Sequence, residues 1–514
     1  DICLKSSMNI KKVLISDKVD VSCQNLLEAN GIEVDYKPGI NNEQLKAIIA
    51  DYDALIVRSA TKVAADVFQF TTKLKLVGRA GTGVDNIDIS SASSNGVLVM
   101  NTPDGNTISA AELTCTLISS LARNIGQGYL SLLQEKWEGS KFMGCELMGK
   151  TLAIIGLGRI GREVALRMQS FGMKTIGFDP LVSEEESKAF GVHSLPLEEI
   201  WRQSDFITVH TPLIPQTKGF INKQVFKMCK LGVKIINVAR GGIVDEADLL
   251  DALNDGICSG AALDVFVSEP PTGTSMALVK HPYVLCTPHL GASTVEAQLR
   301  VAREIAKQII DARDGKTIVG LVNAPALSQL SNPKYTPWMR LAEKLGSLIS
   351  NIKGSTNINF SVNGEFLAPA SRLLLNAFCY GFSKIHSLSG NLINAVIILK
   401  DLGINIKLTE LKNQTWSSIN VLIPGVGEFI GNLSGELPTI LQIYGVALCS
   451  PVVLHDYVIM ALSTHHSSQN LLNDVLNING ITSVSTGKNG TNSVLVAAVE
   501  SKVNVELPLV CLKI

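Results

Sequence analysis

The chain has almost no net charge: 45 lysines and arginines against 46 aspartates and glutamates over 514 residues leave a formal −1. With no basic surplus and no Lys/Arg block, nothing in it is suited to grip a polyanionic backbone, so nucleic acid is not expected as a partner. No apolar run reaches the ~20 residues needed to cross a bilayer, so no membrane helix is expected. The ten cysteines lack CxxC or ligand-like spacing. Cys115, Cys229, Cys286 and Cys379 sit inside apolar runs, as buried reduced thiols of a cytosolic protein do, and no metal site is expected. Residues 1 to 7 hold no initiator methionine and no apolar signal segment. Met8 opens the readable sequence; the residues before it read as translated leader or cloning remnant and are set aside. The 46% hydrophobic content is enough for several cores, and the length suggests about three or four domains.

What the chain does have is a glycine-rich stretch, Thr151-Leu-Ala-Ile-Ile-Gly-Leu-Gly-Arg-Ile-Gly, that closes on Asp179. An apolar run enters a turn with Gly156, Gly158 and Gly161, and an amphipathic run comes next (Ile160, Val164, Ala165, Met168, Phe171). The pattern is strand, turn, helix, strand. Gly156 serves the tight turn, Gly158 the approach of a pyrophosphate, and Gly161 close helix–strand packing. Free N–H groups at the helix start suit a diphosphate. Asp179, about 20 residues on, suits an adenosine ribose and repels a 2′-phosphate, which favours NAD over NADP.

Residues 11 to 105 alternate short strands (Lys12-Val-Leu-Ile-Ser, Ala54-Leu-Ile-Val, Leu74-Lys-Leu-Val-Gly, Val97-Leu-Val-Met) with helical spacing such as Val21 to Asn30. This predicts a parallel α/β sheet. Arg58, Ser59, Arg79 and Asn101 come just after strands, where ligands gather in such sheets. A helix from about Thr107 to Arg123 leads on. Residues 124 to 149, with Trp137 and Phe142, read as an irregular arm at a subunit interface. Four more apolar strands end in His210-Thr211, Asn237-Val238-Ala239-Arg240, Asp264 and Thr287-Pro-His289, as parallel strands buried on both faces should. A helix from about Ser293 to Asp314 returns to the first domain, making that domain discontinuous, with a cleft between the lobes. Pro325, Pro333 and Pro337 mark a linker. Residues 338 to 450 read as apolar βα alternation with Gly-rich turns, and 451 to 514 as a short strand-and-helix tail. The pair His465-His466 has no further ligand spacing and reads as an exposed polar loop.

Oxidising a carbinol requires a group that takes the hydroxyl proton near neutral pH, and histidine is the usual one. Of eight histidines, His289 in Thr-Pro-His-Leu-Gly-Ala is the best placed. His210 ends an earlier strand, among expected cofactor contacts; His193, His281, His386 and His455 read as surface or structural. Glu269 in Val-Phe-Val-Ser-Glu-Pro-Pro would fix the tautomer of His289 and raise its pKa. Arg240, before Gly241 and Gly242, offers a planar fork for a substrate carboxylate. Taken singly, Arg240 could equally pair with Glu269, and either could be a solvated loop charge. Three such groups on strand ends of one cofactor domain favour an active site. Arg58 and Arg79 would suit a second anion, a phosphate; ion pairing between lobes is the alternative.

These stretches, with Gly-Leu-Gly-Arg-Ile-Gly, Asn-Val-Ala-Arg-Gly-Gly-Ile-Val-Asp and Pro-His-Leu-Gly-Ala-Ser, resemble the D-isomer-specific 2-hydroxyacid dehydrogenases. Leu55-Ile-Val-Arg-Ser-Ala-Thr-Lys-Val, Val77-Gly-Arg-Ala-Gly-Thr-Gly-Val-Asp-Asn and Asn101-Thr-Pro-Asp-Gly-Asn narrow the resemblance to the long, animal-type D-3-phosphoglycerate dehydrogenases. It is dense over 11 to 325, thinner over 326 to 450 and faint beyond. It implies a Rossmann-type domain (106–292) inserted in a discontinuous flavodoxin-like substrate domain (8–105 and 293–325), with two smaller α/β domains after it, intervening (326–450) and ACT-like (451–514). It implies a cytosolic homodimer or homotetramer that uses NAD to oxidise 3-phosphoglycerate to 3-phosphohydroxypyruvate, the first step of serine synthesis. By position, Arg240 holds the carboxylate, His289 is the acid/base and Glu269 is its partner. Arg159 and Ile160 lie against the pyrophosphate. Thr82, Thr211, Val238, Ala239, Asp264, Leu290, Gly291 and Ala292 line the cofactor, with Asp264 near the nicotinamide amide. Arg58, Ser59, Arg79 and Asn106 bind the phosphate end.

Two departures stand out. After Trp137-Glu the relatives' basic segment is replaced by Gly139-Ser140 and a lone Lys141, so the resemblance does not carry over a phosphate contact across the dimer. The tail lacks an Asp-x-Pro-Gly turn, so serine inhibition is not expected. A glyoxylate or hydroxypyruvate reductase would share the catalytic trio, but the extra C-terminal length and the Arg58/Arg79 pair count against it. An NAD-sensing co-repressor would share the fold, but would carry a disordered tail where this one is apolar and patterned.

Overall fold

In a computed structural model of the protein, residues 8–352, 354–386, 388, 390–411, 416–463, 475, 478, 481–489, 492–499, 501–503 and 510–513 are described; His465 and His466 lie outside them. Two compact units emerge, Asp1–Thr102 with Ala302–Ile514, and Pro103–Val301. The α/β class and the parallel sheets agree with the sequence. Among the described residues no helix is long and apolar enough to cross a membrane.

The first unit opens with a five-stranded parallel sheet: β1 (Lys12–Ile15), β2 (Glu33–Tyr36), β3 (Ala54–Val57), β4 (Leu76–Arg79) and β5 (Leu98–Asn101), ordered β2-β1-β3-β4-β5. Leu14, Leu55, Val57, Val77 and Val99 pack on one face of it. The order reverses between β1 and β3, the point at which open α/β sheets bind ligands. β2 is missing from the sequence reading. It is a half-exposed edge strand whose polar Glu-Val-Asp-Tyr offers no apolar run. The return segment joins this sheet: Met100 bridges Leu321, and Asn101 donates its N–H to the Gly320 carbonyl.

The second unit is a seven-stranded parallel sheet: β6 (Thr151–Ile155), β7 (Lys174–Phe178), β8 (His193–Ser194), β9 (Phe206–Val209), β10 (Val233–Asn237), β11 (Cys258–Leu263) and β12 (Val284–Cys286), ordered β12-β11-β10-β9-β6-β7-β8. Side chains alternate between two cores, with Ala153, Ile155, Ile207 and Ile235 in one and Leu152, Ile154, Phe206 and Ile236 in the other. Burial on both faces is why these strands read as unbroken apolar runs. The order reverses between β6 and β9, which places the glycine turn at the switch point.

The arm is not irregular throughout. Ile125–Leu133 is a helix, entered through left-handed Asn124 (φ 49°), with a tight turn at Gly139–Phe142 after it. Two glycines and the lack of a side-chain cap hid it from sequence reading. Pro325 and Pro333 open short 3-10 turns, while Pro337, read as a linker mark, lies in the first turn of the helix Thr336–Ser350; that helix, Ser371–Ile385 and Ala395–Asp401 accompany β13 (Asn357–Asn363) and β14 (Asn405–Leu411). There the alternation stops. β15 (Ser418–Ile423), β16 (Gly427–Ser434), β17 (Leu437–Ile443) and β18 (Val446–Val453) form an antiparallel meander, giving the order β14-β13-β15-β16-β17-β18. The Gly-rich turns taken for βα connections join hairpins. The last described strands, β19 (Tyr457–Ser463), β20 (Ile481–Asn489), β21 (Asn492–Val499) and β22 (Val510–Lys513), form an antiparallel sheet ordered β20-β21-β19-β22.

Candidate active site

Three strand ends of the second unit supply the trio. His289 Nδ1 lies 2.7 Å from Glu269 Oε2, and Phe266 N–H donates to the other carboxylate oxygen at 3.1 Å. The Glu269 hydrogen bond raises the His289 pKa against the opposing effect of burial. Burial alone would raise Glu269; its bonds from His289 and Phe266 hold it below the ordinary carboxylate range. With Nδ1 engaged, Nε2 is the nitrogen left to exchange a proton with a ligand. His289 is strained, at φ 54° in the left-handed region. Asp264 secures it there: fully buried, its carboxylate accepts from Thr287 Oγ1 (2.6 Å), Leu290 N–H (2.7 Å) and Gly291 N–H (2.8 Å), while its carbonyl accepts from His289 N–H. Burial raises the Asp264 pKa despite those bonds. Both its oxygens serve the His289 loop.

Arg240 comes after β10 in a turn that Asn237 closes: the Asn237 amide donates to Arg240 O at 2.8 Å and accepts from Ala239 N–H at 3.0 Å. Gly241 is required beside it, since an added Cβ would stand 2.0 Å from the Phe266 carbonyl. The positive charge of Arg240 acts on both Glu269 and His289. Sequence reasoning missed Glu246. Its carboxylate accepts from Val267 N–H at 2.7 Å and from Ser275 Oγ at 2.5 Å, clamping both sides of the segment that carries Glu269. In the sequence it looks like an ordinary acid in a helix's first turn, and only the fold brings Val267 to it.

The dinucleotide fingerprint takes its expected form. Gly156 turns at φ 95°, and a Cβ on Gly161 would meet Gly156 O at 2.1 Å. The helix Arg159–Ser170 starts at Gly158 with no side-chain cap, and a Cβ added at Gly158 would meet no described atom beyond its chain neighbours within 4 Å. Uncapped amides and an open approach are what a diphosphate needs. Thr211 Oγ1 is buried without a hydrogen-bond partner beside this turn, a further fit to a polar ligand. Asp179 accepts from Leu157 N–H and Leu181 N–H, both at 2.9 Å. Arg159 is paired with Asp104, a contact the sequence did not suggest. Val238 and Gly291 are buried, Leu290 is exposed, and Ile160, Ala239 and Ala292 are half-buried. Asn106 bounds the helix Thr107–Ala122.

In the first unit, Arg58 comes directly after β3 and Arg79 ends β4. Buried Asp17, after β1, accepts from Arg58 N–H (2.6 Å) and from Thr61 N–H and Oγ1 (3.1 and 2.7 Å). Burial lowers the Arg58 pKa, which the Asp17 charge opposes. Arg79 Nε donates to Asn86 Oδ1 at 2.9 Å. Ser59 is exposed, and Thr82 Oγ1 donates to Thr102 O at 3.2 Å.

Comparison with known proteins gives the family. Residues 115–291 match the family model of the D-isomer specific 2-hydroxyacid dehydrogenase NAD binding domain, and residues 334–423 that of the D-3-phosphoglycerate dehydrogenase intervening domain. The chain is 54% identical over 402 residues to D-3-phosphoglycerate dehydrogenase of Homo sapiens, covering 77% of this chain and 75% of the relative. It is 43% identical over 420 residues to that of Bacillus subtilis, covering 80% and 79%. Among solved structures it resembles D-lactate dehydrogenase from Aquifex aeolicus complexed with NAD and lactic acid (26% identity, TM-score 0.54, covering 58% of this chain and 94% of that one).

Proposed function

The chain belongs to the D-3-phosphoglycerate dehydrogenase family of NAD-dependent oxidoreductases, and from that premise we propose that it oxidises 3-phospho-D-glycerate to 3-phosphohydroxypyruvate, the first step of L-serine synthesis. The observation that carries this is the 2.7 Å His289–Glu269 bond on strand ends beside Arg240. His289 Nε2 takes the hydroxyl proton as the carbinol is oxidised, and Glu269 stabilises the imidazolium that results. Arg240 holds the substrate carboxylate through its planar fork and so orients the carbinol carbon. NAD, when bound, supplies the hydride acceptor. Gly156, Gly158, Arg159, Ile160 and Gly161 would hold its diphosphate. Asp179 would hold its ribose, and Thr82, Thr211, Val238, Ala239, Asp264, Leu290, Gly291 and Ala292 would line it. Arg159, paired here with Asp104, would give the diphosphate a positive charge. Arg58, Arg79, Ser59 and Asn106 are assigned to the phosphate end.

The protein acts as a homodimer or homotetramer in the cytosol. The helix Ile125–Leu133 and the segment from there to residue 149 support a second copy as partner: Tyr129, Leu133, Trp137 and Met148 are 62, 63, 90 and 75% exposed, more apolar surface than a lone subunit usually leaves to water. The intervening-domain match supports that role for 326–450, and the order β20-β21-β19-β22 supports an ACT-like domain over 451–514. The test is NADH oxidation with 3-phosphohydroxypyruvate against plain hydroxypyruvate, on wild type and on Arg58→Ala. A much higher kcat/KM for the phosphorylated substrate, lost in the variant, is expected. Equal rates would favour a hydroxypyruvate reductase, and NADH binding without turnover a co-repressor-type binding protein.

A further inference from the structure

We infer that Asn86 is the positioning residue that sets the two phosphate-end arginines, Arg58 and Arg79, in fixed register and so determines selectivity for a phosphorylated substrate; this rests on the reading of those arginines proposed above. Asn86 uses its whole side-chain amide on these two strand ends. Its Nδ2 donates to Arg58 O and Thr61 O, both at 2.6 Å, and its Oδ1 accepts from Arg79 Nε at 2.9 Å. The two ends of the Arg58–Thr61 turn are shared between two side chains. Buried Asp17 accepts from the N–H groups of Arg58 and Thr61, and Asn86 donates to the carbonyls of the same two residues. Beyond that turn, the Asn86 carbonyl accepts from Val63 N–H at 2.8 Å, so the backbone is tied to the same segment as the side chain.

An asparagine is suited to this task. One planar group presents two donors and an acceptor, so it ties two carbonyls on one side to a guanidinium on the other. Binding Arg79 through Nε fixes the plane of its fork, and the plane decides whether two parallel bonds reach one phosphate. Arg58 is fixed through its backbone and through Nη1, which donates to Lys18 O at 3.2 Å. Aspartate at position 86 would keep an acceptor for Arg79 but set carboxylate oxygens against two carbonyls. Alanine would take the acceptor from Arg79 Nε and the donor from the Arg58 and Thr61 carbonyls, so the fork of Arg79 turns and the Arg58–Thr61 turn is held from the Asp17 side alone. Neither change touches the His289–Glu269–Arg240 chemistry.

The test uses the full-length enzyme and compares kcat/KM for 3-phosphohydroxypyruvate and hydroxypyruvate, with NADH, in wild type, Asn86→Ala and Asn86→Asp. In both variants the phosphorylated substrate should lose at least about tenfold, mostly through KM, while hydroxypyruvate changes by less than about threefold and NADH affinity holds. A merely structural role would lower both substrates together. A parallel fall, or an unchanged ratio, in whichever variant folds would overturn the inference and leave the phosphoglycerate reading intact. Absence of any phosphate preference in wild type would sink that reading, and the inference with it.

Discussion

Two strand ends of the same sheet each carry a histidine, and they are chemical opposites. His210 stands just after β9 at the switch point. Its imidazole Nε2 lies 3.0 Å from the Thr208 hydroxyl, its backbone N–H donates to Ile155 O, and its carbonyl stands close to where a Cβ on Gly156 would be. Part of the residue reaches the surface, yet the ring is enclosed enough that burial pushes its pKa down to about 4. It stays neutral through the physiological range. His289, after β12, is about half exposed and bonded to a carboxylate, and its pKa is raised. Position at a ligand-facing strand end therefore does not make a histidine an acid/base. A carboxylate on one nitrogen and an open path to the other do.

The largest break in this comparison is to remove each ring. His289→Asn should lower kcat by about 10²–10⁴-fold, the range for loss of a general acid/base, while His210→Asn should cost less than about tenfold. NADH affinity measured on both variants separates chemistry from cofactor binding. A His210 variant as impaired as the His289 variant would reverse the assignment.

A smaller effect sharpens the same contrast. In Glu269→Gln, His289 loses the partner that raises its pKa, so its value should fall toward that of an ordinary imidazole. Oxidation needs neutral imidazole, and its rate rises as pH climbs through that pKa. The acid limb of the oxidative kcat/KM profile should therefore move to lower pH, while the plateau falls about ten- to a hundredfold. Reduction uses the imidazolium, so its falling limb should move to lower pH as well. An unmoved limb would mean that Glu269 does not set the His289 proton.

How much of the fold and site was legible depends on how local each cause is. The glycine turn, the strand runs and the trio's placement after strands depend on near neighbours, and the sequence carries them directly. β2 and the helix Ile125–Leu133 were hidden because exposure removed the apolar signal in one and glycine diluted helix propensity in the other. The meander β15–β18 was misread because Gly-rich turns serve hairpins and βα connections alike. The site residues that went unnoticed act across long gaps. Asn86 reaches back 28 residues to Arg58, and Glu246 reaches 21 forward to Val267 and 29 to Ser275. No periodicity spans such distances.

Glu246 gives the mildest test of what separates the two histidines, because it touches neither. Its two oxygens tie Val267 N–H and Ser275 Oγ, which flank Glu269 along the chain. Glu269 in turn takes the neighbouring Phe266 N–H, so Val267 and Phe266 are held by two carboxylates in succession. Glu246→Gln keeps one carbonyl acceptor and replaces the other with a donor that meets the Val267 N–H or the Ser275 hydroxyl less well. The loop then loosens without losing its fold, and the His289–Glu269 bond is made for less of the time. Turnover should fall about three- to tenfold, and the acid limb of the oxidative profile should move to lower pH by less than in Glu269→Gln. His210, held by a different strand end, should keep its depressed pKa by NMR titration. A loss of rate with no movement of the limb would show that Glu246 supports the fold alone; a shift at His210 as well would show that the two strand ends are not independent.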